Sequence, residues 1–170
     1  SSVLIADANP ENINADQNGI AIDEGSGTLY WTQPTGGLNS SSSLILRSNL
    51  DGSGSPTQIK QINRQGGLLV DPVLGQLYWV AADGIFRSNL DGSGQVTVRA
   101  TVAGQEVAYL TIDPLARQLY WLDPQQNQLV RRGLLDGSET VLVSGLSNPH
   151  GLVLRPERNE LYYKIGRAHV

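Results

Sequence analysis

Few side chains in this sequence could do chemistry. His150 and His169 are its only histidines and cysteine is absent from all 170 residues, which removes thiolate nucleophiles, Cys-ligated zinc and any site built from several imidazoles. The oxygen donors are more suggestive. Asn14-x-Asp16-x-Asn18-Gly19 sets them at alternate positions ahead of a glycine, as a calcium loop does, but Gly25 stands where the closing carboxylate belongs and Glu24 falls one place short. A solvated turn accounts for this run better, because Asn and Asp side chains hydrogen-bond nearby backbone. Asp51-Gly52-Ser53, Asp91-Gly92-Ser93 and Asp136-Gly137-Ser138 also lack a later bidentate Glu, and Asp-Gly supplies the positive φ of a tight hairpin. Asn39-Ser40-Ser41 matches a glycosylation acceptor, which matters only in a secreted eukaryotic chain.

The elements that position these residues come from one phrase stated four times. Gly19-Ile20-Ala21-Ile22-Asp23 leads through a short turn to Leu29-Tyr30-Trp31, and the same phrase reaches Leu77-Tyr78-Trp79, Leu119-Tyr120-Trp121 and Leu161-Tyr162-Tyr163. The triplets are 48, 42 and 42 residues apart, and the Asp-Gly-Ser turns keep the same time. Each period divides into an apolar strand, an aromatic strand, a strand closing on Asp-Gly, and a fourth strand; in the first copy these are Gly19 to Asp23, Thr28 to Thr32, a strand from Leu44, and Thr57 to Ile62. No helical periodicity supports the helical solenoids of similar period. Four short antiparallel strands, radially repeated, specify a β-propeller blade, and the fold class is all-β.

The repeats run over about 16–63, 64–105, 106–147 and 148–164, the last stopping after its second strand. Val3-Leu4-Ile5 reads as the outer strand of a preceding blade. The expectation is an open arc of about three and a half blades over 1–164, a fragment of a longer multidomain chain, with 165–170 a non-native tail that resembles one frame of a sequencing adapter.

Composition narrows the function. The net charge of −4, with 12 scattered Lys and Arg, argues against a nucleic-acid partner. No apolar run is long enough to cross a bilayer, so no membrane insertion of this segment is expected. In the triplets Tyr and Trp point to opposite faces of a strand that neighbouring blades cover, so the rings are inter-blade packing rather than a sugar-stacking set. Arg47, Arg87 and Arg132 each precede a turn Asp by four residues, which implies an internal ion pair or backbone hydrogen bond repeated per blade.

The triplets, Thr32 after the first of them, Asp71-Pro72, Asp113-Pro114 and the Arg-x-Asn-Leu-Asp-Gly-Ser turn resemble the YWTD repeats, or low-density lipoprotein receptor class B repeats. Asn148-Pro149-His150-Gly151-Leu152 is similar to that family's approach to its innermost strand. The family's fourth motif residue, an Asp, is Gln33 in the first copy, Ala81 or Ala82 in the second and Asp123 in the third, and Tyr163 replaces Trp in the fourth. The resemblance implies six-bladed propellers that dock protein ligands on one face. That face is made by the loops leading to the innermost strands and those between second and third strands. In this chain it collects Asp16, Asn18, Gln33, Asn39, Arg64, Asp83, Glu106, Asp123 and His150 as candidate binding residues. The first inter-strand loop is the longest, 16 positions from Trp31 to Arg47 against 8 from Trp79 to Arg87, and length variation confined to one face marks a binding face.

The expected function is therefore a non-enzymatic protein- or peptide-binding module, extracellular or cell-surface, periplasmic or secreted if bacterial, with no cofactor. The alternative is a lactonase-like propeller hydrolase with one axial metal. His150 lies beside the axis and Glu106 and Asn18 fall at or near matching positions, but the residues immediately before the inner strands are Asn18, Gly66, Ala108 and His150, two of them without ligand atoms. A third reading makes the propeller a spacer between other domains.

Overall fold

The computed structural model describes residues 19–36, 42–63 and 66–166. Strands β1 (Ile20–Asp23), β2 (Thr28–Pro34), β3 (Ser42–Asn49) and β4 (Thr57–Asn63) form one antiparallel sheet in chain order. Strands β5 (Leu68–Asp71), β6 (Gln76–Ala81), β7 (Gly84–Asn89) and β8 (Val96–Ala100) form the second, and β9 (Ala108–Asp113), β10 (Gln118–Asp123), β11 (Gln128–Gly133) and β12 (Glu139–Val143) the third. A fourth sheet pairs β13 (Pro149–Arg155) with β14 (Glu160–Ile165). The first strands of successive sheets, β1, β5, β9 and β13, lie beside one another, which makes them the inner strands of an arc of three and a half blades. They approach so closely that a Cβ on Gly19 would come within 2.5 Å of the Leu68 Cβ, so glycine at the start of β1 is a packing requirement.

The aromatic triplets hold neighbouring blades together in a fixed sense. Tyr30 buries against Leu68 and Trp79 of the second blade, and Tyr78 buries with Leu110 and Trp121 of the third. Tyr30 and Tyr78 thus reach forward along the chain and Trp79 and Trp121 back, the consequence of adjacent residues pointing to opposite faces of one strand. Trp79 and Trp121 are essentially inaccessible, and burial of a large apolar side chain contributes about 1.5–3 kcal/mol. Three of the triplet tyrosines donate their hydroxyl to a residue two places earlier: Tyr78 to Gln76 at 3.2 Å, Tyr120 to Gln118 at 2.6 Å and Tyr162 to Glu160 at 2.8 Å.

The outer strands add a second tie. Lys60 on β4 places its ammonium 5.9 Å from the Trp79 ring centroid, and Arg99 at the same position of β8 lies 5.0 Å from Trp121. The register makes the two cations equivalent, since Ile45 opposes Lys60 and Ile85 opposes Arg99. Arg99 also donates from Nε to Glu139 on β12 at 3.1 Å, and Arg132 donates to the same oxygen at 2.7 Å.

Turns on one side of the arc follow a rule. The Asp closing each of the first three inner strands accepts from the backbone N–H groups two and three residues on: Asp23 from Gly25 and Ser26, Asp71 from Val73 and Leu74, Asp113 from Leu115 and Ala116. Asp71, fully buried, also binds the Arg117 guanidinium of the next blade. Between third and fourth strands, Gly52 donates to Asn49 and Gly92 to Asn89, but Gly137 donates to Gly133, a span longer by one residue. Leu134 bonds Arg117 as Leu50 bonds Gly27, so Leu135 is the added residue.

That insertion corrects the arginine register. Counted back from the turn Asp, Arg132 matches Arg47 and Arg87, yet Arg47 opposes Tyr30, Arg87 opposes Tyr78, and the residue opposing Tyr120 is Arg131. No single bond repeats either: Arg47 sits by the Tyr30 hydroxyl, Arg87 bonds Gln76 at 2.9 Å and Arg132 bonds Glu139. The connections between third and fourth strands are seven, six and five residues long in successive blades, so loop length varies on both faces.

The terminal sheets present uncovered apolar residues, Ile20 and Ile22 on β1, and Val153, Tyr162, Tyr163 and Ile165 on the last pair. Strand β14 runs one residue past 164, with Ile165 opposite Pro149, and Gly166 donates to the carbonyls of Ser147 and Asn148. The strand expected at Val3-Leu4-Ile5 lies outside the described residues.

Candidate ligand-binding face

The loops between second and third strands and those leading to inner strands emerge on one side and are stitched to one another. Ala82 N donates to Asn63 O at 3.2 Å, Thr101 N to Asp83 O at 2.9 Å and Leu146 N to Asn127 O at 2.9 Å. Gln126 Nε2 donates to Gly104 O, bridging the loop ahead of β9 to the one after β10. A face built this way holds its exposed side chains on fixed backbone, which lowers the ordering cost of binding.

Asp83 is fully presented. It occupies the two-residue turn Ala82-Asp83, whose tightness depends on Gly84 at φ 152°, where a Cβ would stand 2.1 Å from Arg99 O. Gln33, at the end of β2 opposite Leu44, is also exposed. Glu106 and His150 are half-buried. The His150 Nδ1 lies 2.9 Å from Asn148 O, so the ring donates there and leaves Nε2 as its acceptor.

Asp123 departs from the reading as a binding residue. It is buried, and its Oδ1 accepts from the backbone N–H groups of Gln125 at 3.1 Å, Gln126 at 2.9 Å and Glu106 at 3.2 Å. Its carboxylate therefore ties the third blade's loop to the residues before β9 and shapes the face from beneath. In the register Asp123 opposes Gln128 as Gln33 opposes Leu44 and Ala81 opposes Gly84, which fixes Ala81 as the second blade's equivalent. Asp16, Asn18, Asn39 and Arg64 lie outside the described residues.

Other residues of the same loops, not singled out from the sequence, also occupy this face. Gln125, Gln126 and Asn127 are exposed between β10 and β11, and Gln105 accepts from Arg99 Nη2 at 2.7 Å. A Gln-Gln-Asn run reads as an ordinary polar turn, and only the bond to Gly104 marks Gln126 as a bridge. Toward the axis, Ala108 opposes Leu122 and His150 opposes Lys164, so these two hold equivalent places at the start of their inner strands, and Gly66 and Gly67 precede β5; among the described residues no three His, Asp or Glu side chains converge as a metal site would need.

Comparisons agree with this architecture. No family model matches the chain. Mouse low-density lipoprotein receptor-related protein 5 is 32% identical over 129 residues, 74% of this chain. The human low-density lipoprotein receptor-related protein 5-like protein is 30% identical over 142 residues, 81% of this chain. The chain belongs to the YWTD β-propeller family. As a YWTD propeller it spans 54% of the human relative's length and 8% of the mouse receptor's. A chain in the crystal structure of a nidogen/laminin complex shares the fold with TM-score 0.74 at 22% identity, covering 86% of this chain and 56% of that one.

Proposed function

We propose that this YWTD propeller is a non-enzymatic module of an extracellular or cell-surface protein that docks a protein or peptide ligand on its loop face. One observation carries the reading. The loops of this face differ most between blades, two residues between β6 and β7, four between β10 and β11 and seven between β2 and β3, while hydrogen bonds tie those of the second and third blades to the segments leading to the inner strands. Variable loops on a repeated scaffold are where recognition resides. The likeness to a lipoprotein-receptor-related protein, and to a chain of a nidogen/laminin complex, supports a protein ligand over a small substrate. The hydrolase alternative needs ligand atoms converging on the axis, and Gly66 and Ala108 supply none.

A photo-cross-linking amino acid placed at Asp83 tests this against the same group at Asp91, an exposed turn residue on the opposite face. Incubated with an extracellular-matrix extract, the Asp83 variant should form a discrete protein adduct that unlabelled propeller competes away, and the Asp91 variant should not. Equal adducts at both positions, or none at Asp83, would refute the loop face as the docking surface.

A further inference from the structure

The third blade departs from the two before it at four positions that converge on one groove, and we propose that this groove binds an acidic peptide segment, a carboxylate side chain beside an apolar one. It lies on the face opposite the loops, so it is independent of the docking surface above. The register identifies the departures. Arg117 stands where the earlier blades have Gly27 and Gly75, Arg132 where they have Ser48 and Ser88, and Gly133 where they have Asn49 and Asn89. Leu135 is the residue added to the turn. All four line a cleft of about 330 Å³ between the second and third blades, with Leu74 and Arg87 on its other wall.

Three guanidiniums therefore face one cleft whose lining includes no carboxylate, in a chain of net charge −4. The charges behind them do not balance. Arg117 is held by Asp71, Arg132 shares Glu139 with Arg99, and Asp136 lies close over Gly133. Among the described residues, Arg87 bonds only the neutral amide of Gln76. Four arginines against three carboxylates leave one positive charge uncompensated, and it faces the opening.

A guanidinium fork matches a carboxylate in shape and charge. The apolar part of the wall selects among anions: Leu74 is 53% exposed and Leu135 84%, and a phosphate or sulfated sugar would leave both wet. A peptide that sets Asp or Glu next to Leu satisfies both parts, and the cleft has room for one or two side chains.

The probe is a fluorescein-labelled peptide, acetyl-Ser-Asp-Leu-Glu-Leu-Ser amide, titrated by anisotropy into the full 170-residue chain. Saturable binding is expected. It should weaken about tenfold in Arg132→Ser, which installs the residue of the first two blades, and similarly in Leu135→Asp, where an exposed side chain changes with no loss of melting temperature. The lysine counterpart, acetyl-Ser-Lys-Leu-Lys-Leu-Ser amide, should not bind, and Asp83→Ala on the loop face should bind as the parent does. No saturable binding, indifference to both groove substitutions, equal binding of the lysine peptide, or tighter binding of a heparin hexasaccharide would each overturn the proposal.

Discussion

Arg99 on the outer strand of the second blade sits 5.0 Å from the centre of the Trp121 ring in the third, while its Nε donates to Glu139 of that same blade. One side chain thus closes the inter-blade core at its rim with both a cation–π contact and an ion pair. Lys60 does the first of these over Trp79 at 5.9 Å and, among the described residues, has no ion-pair partner for the second. The third blade carries Val143 at this position, packed with Leu122, Leu152 and Leu161, and the next blade there has Tyr163 in place of Trp.

Arg99→Ala should accordingly destabilise the chain by about 2 kcal/mol, from the lost contact over Trp121 and the lost partner of Glu139. Lys60→Ala should cost no more than about 1 kcal/mol. Urea unfolding of the two variants checks the order, and an equal or reversed cost would contradict the rim-tie account.

Asp71 and Asp113 cap equivalent turns, but Asp71 alone is fully buried and paired with an arginine of the next blade. Asp71→Asn retains the turn's acceptor and breaks the pair, so it should cost about 3 kcal/mol. Asp113→Asn should stay within about 0.5 kcal/mol. Similar losses in the two variants would mean that the turn, rather than the ion pair, is what Asp71 supplies.

Two glycines separate steric from conformational demand. Gly84→Ala forces a Cβ to 2.1 Å from Arg99 O and should cost more than about 3 kcal/mol. Gly27→Ala, at φ 64° with no atom within 4 Å of the new Cβ, should cost about 1 kcal/mol from the left-handed backbone alone. Thermal melts of both variants read the difference directly.

Alkaline pH should weaken the blade interfaces. Burial raises the pKa of Tyr30, Tyr78 and Tyr120 above 10.0, because the folded core disfavours the phenolate. The folded state then holds these protons more tightly than the unfolded chain. The contribution is fully present below pH 10 and is lost as pH rises through the higher folded values. The melting temperature should fall above pH 10, and less steeply in Tyr78→Phe. An unchanged slope in that variant would show that the Tyr78 hydroxyl does not titrate with unfolding.

The sequence by itself determined the blade. A period near forty, apolar strands leading into Leu-Tyr-Trp and Asp-Gly before each fourth strand are local signals, and local backbone physics makes them strands and hairpins wherever they occur. It also showed that Tyr and Trp of one triplet face opposite ways. Only the tertiary structure decided which way: Tyr78 forward to Trp121, Trp79 back to Tyr30. The Arg117–Asp71 pair and the Arg99–Glu139–Arg132 set join residues that meet only once blades are stacked, so no local pattern announces them. Aligning the turns on Asp-Gly hid the inserted Leu135 and so exchanged Arg132 for Arg131, because the turn chemistry survives an added residue whereas strand register does not. Asp123 looked like a face residue because its position in the motif is a loop end, whereas it is buried and its carboxylate accepts from the backbone N–H of Glu106 in the preceding loop, a contact that no local pattern announces.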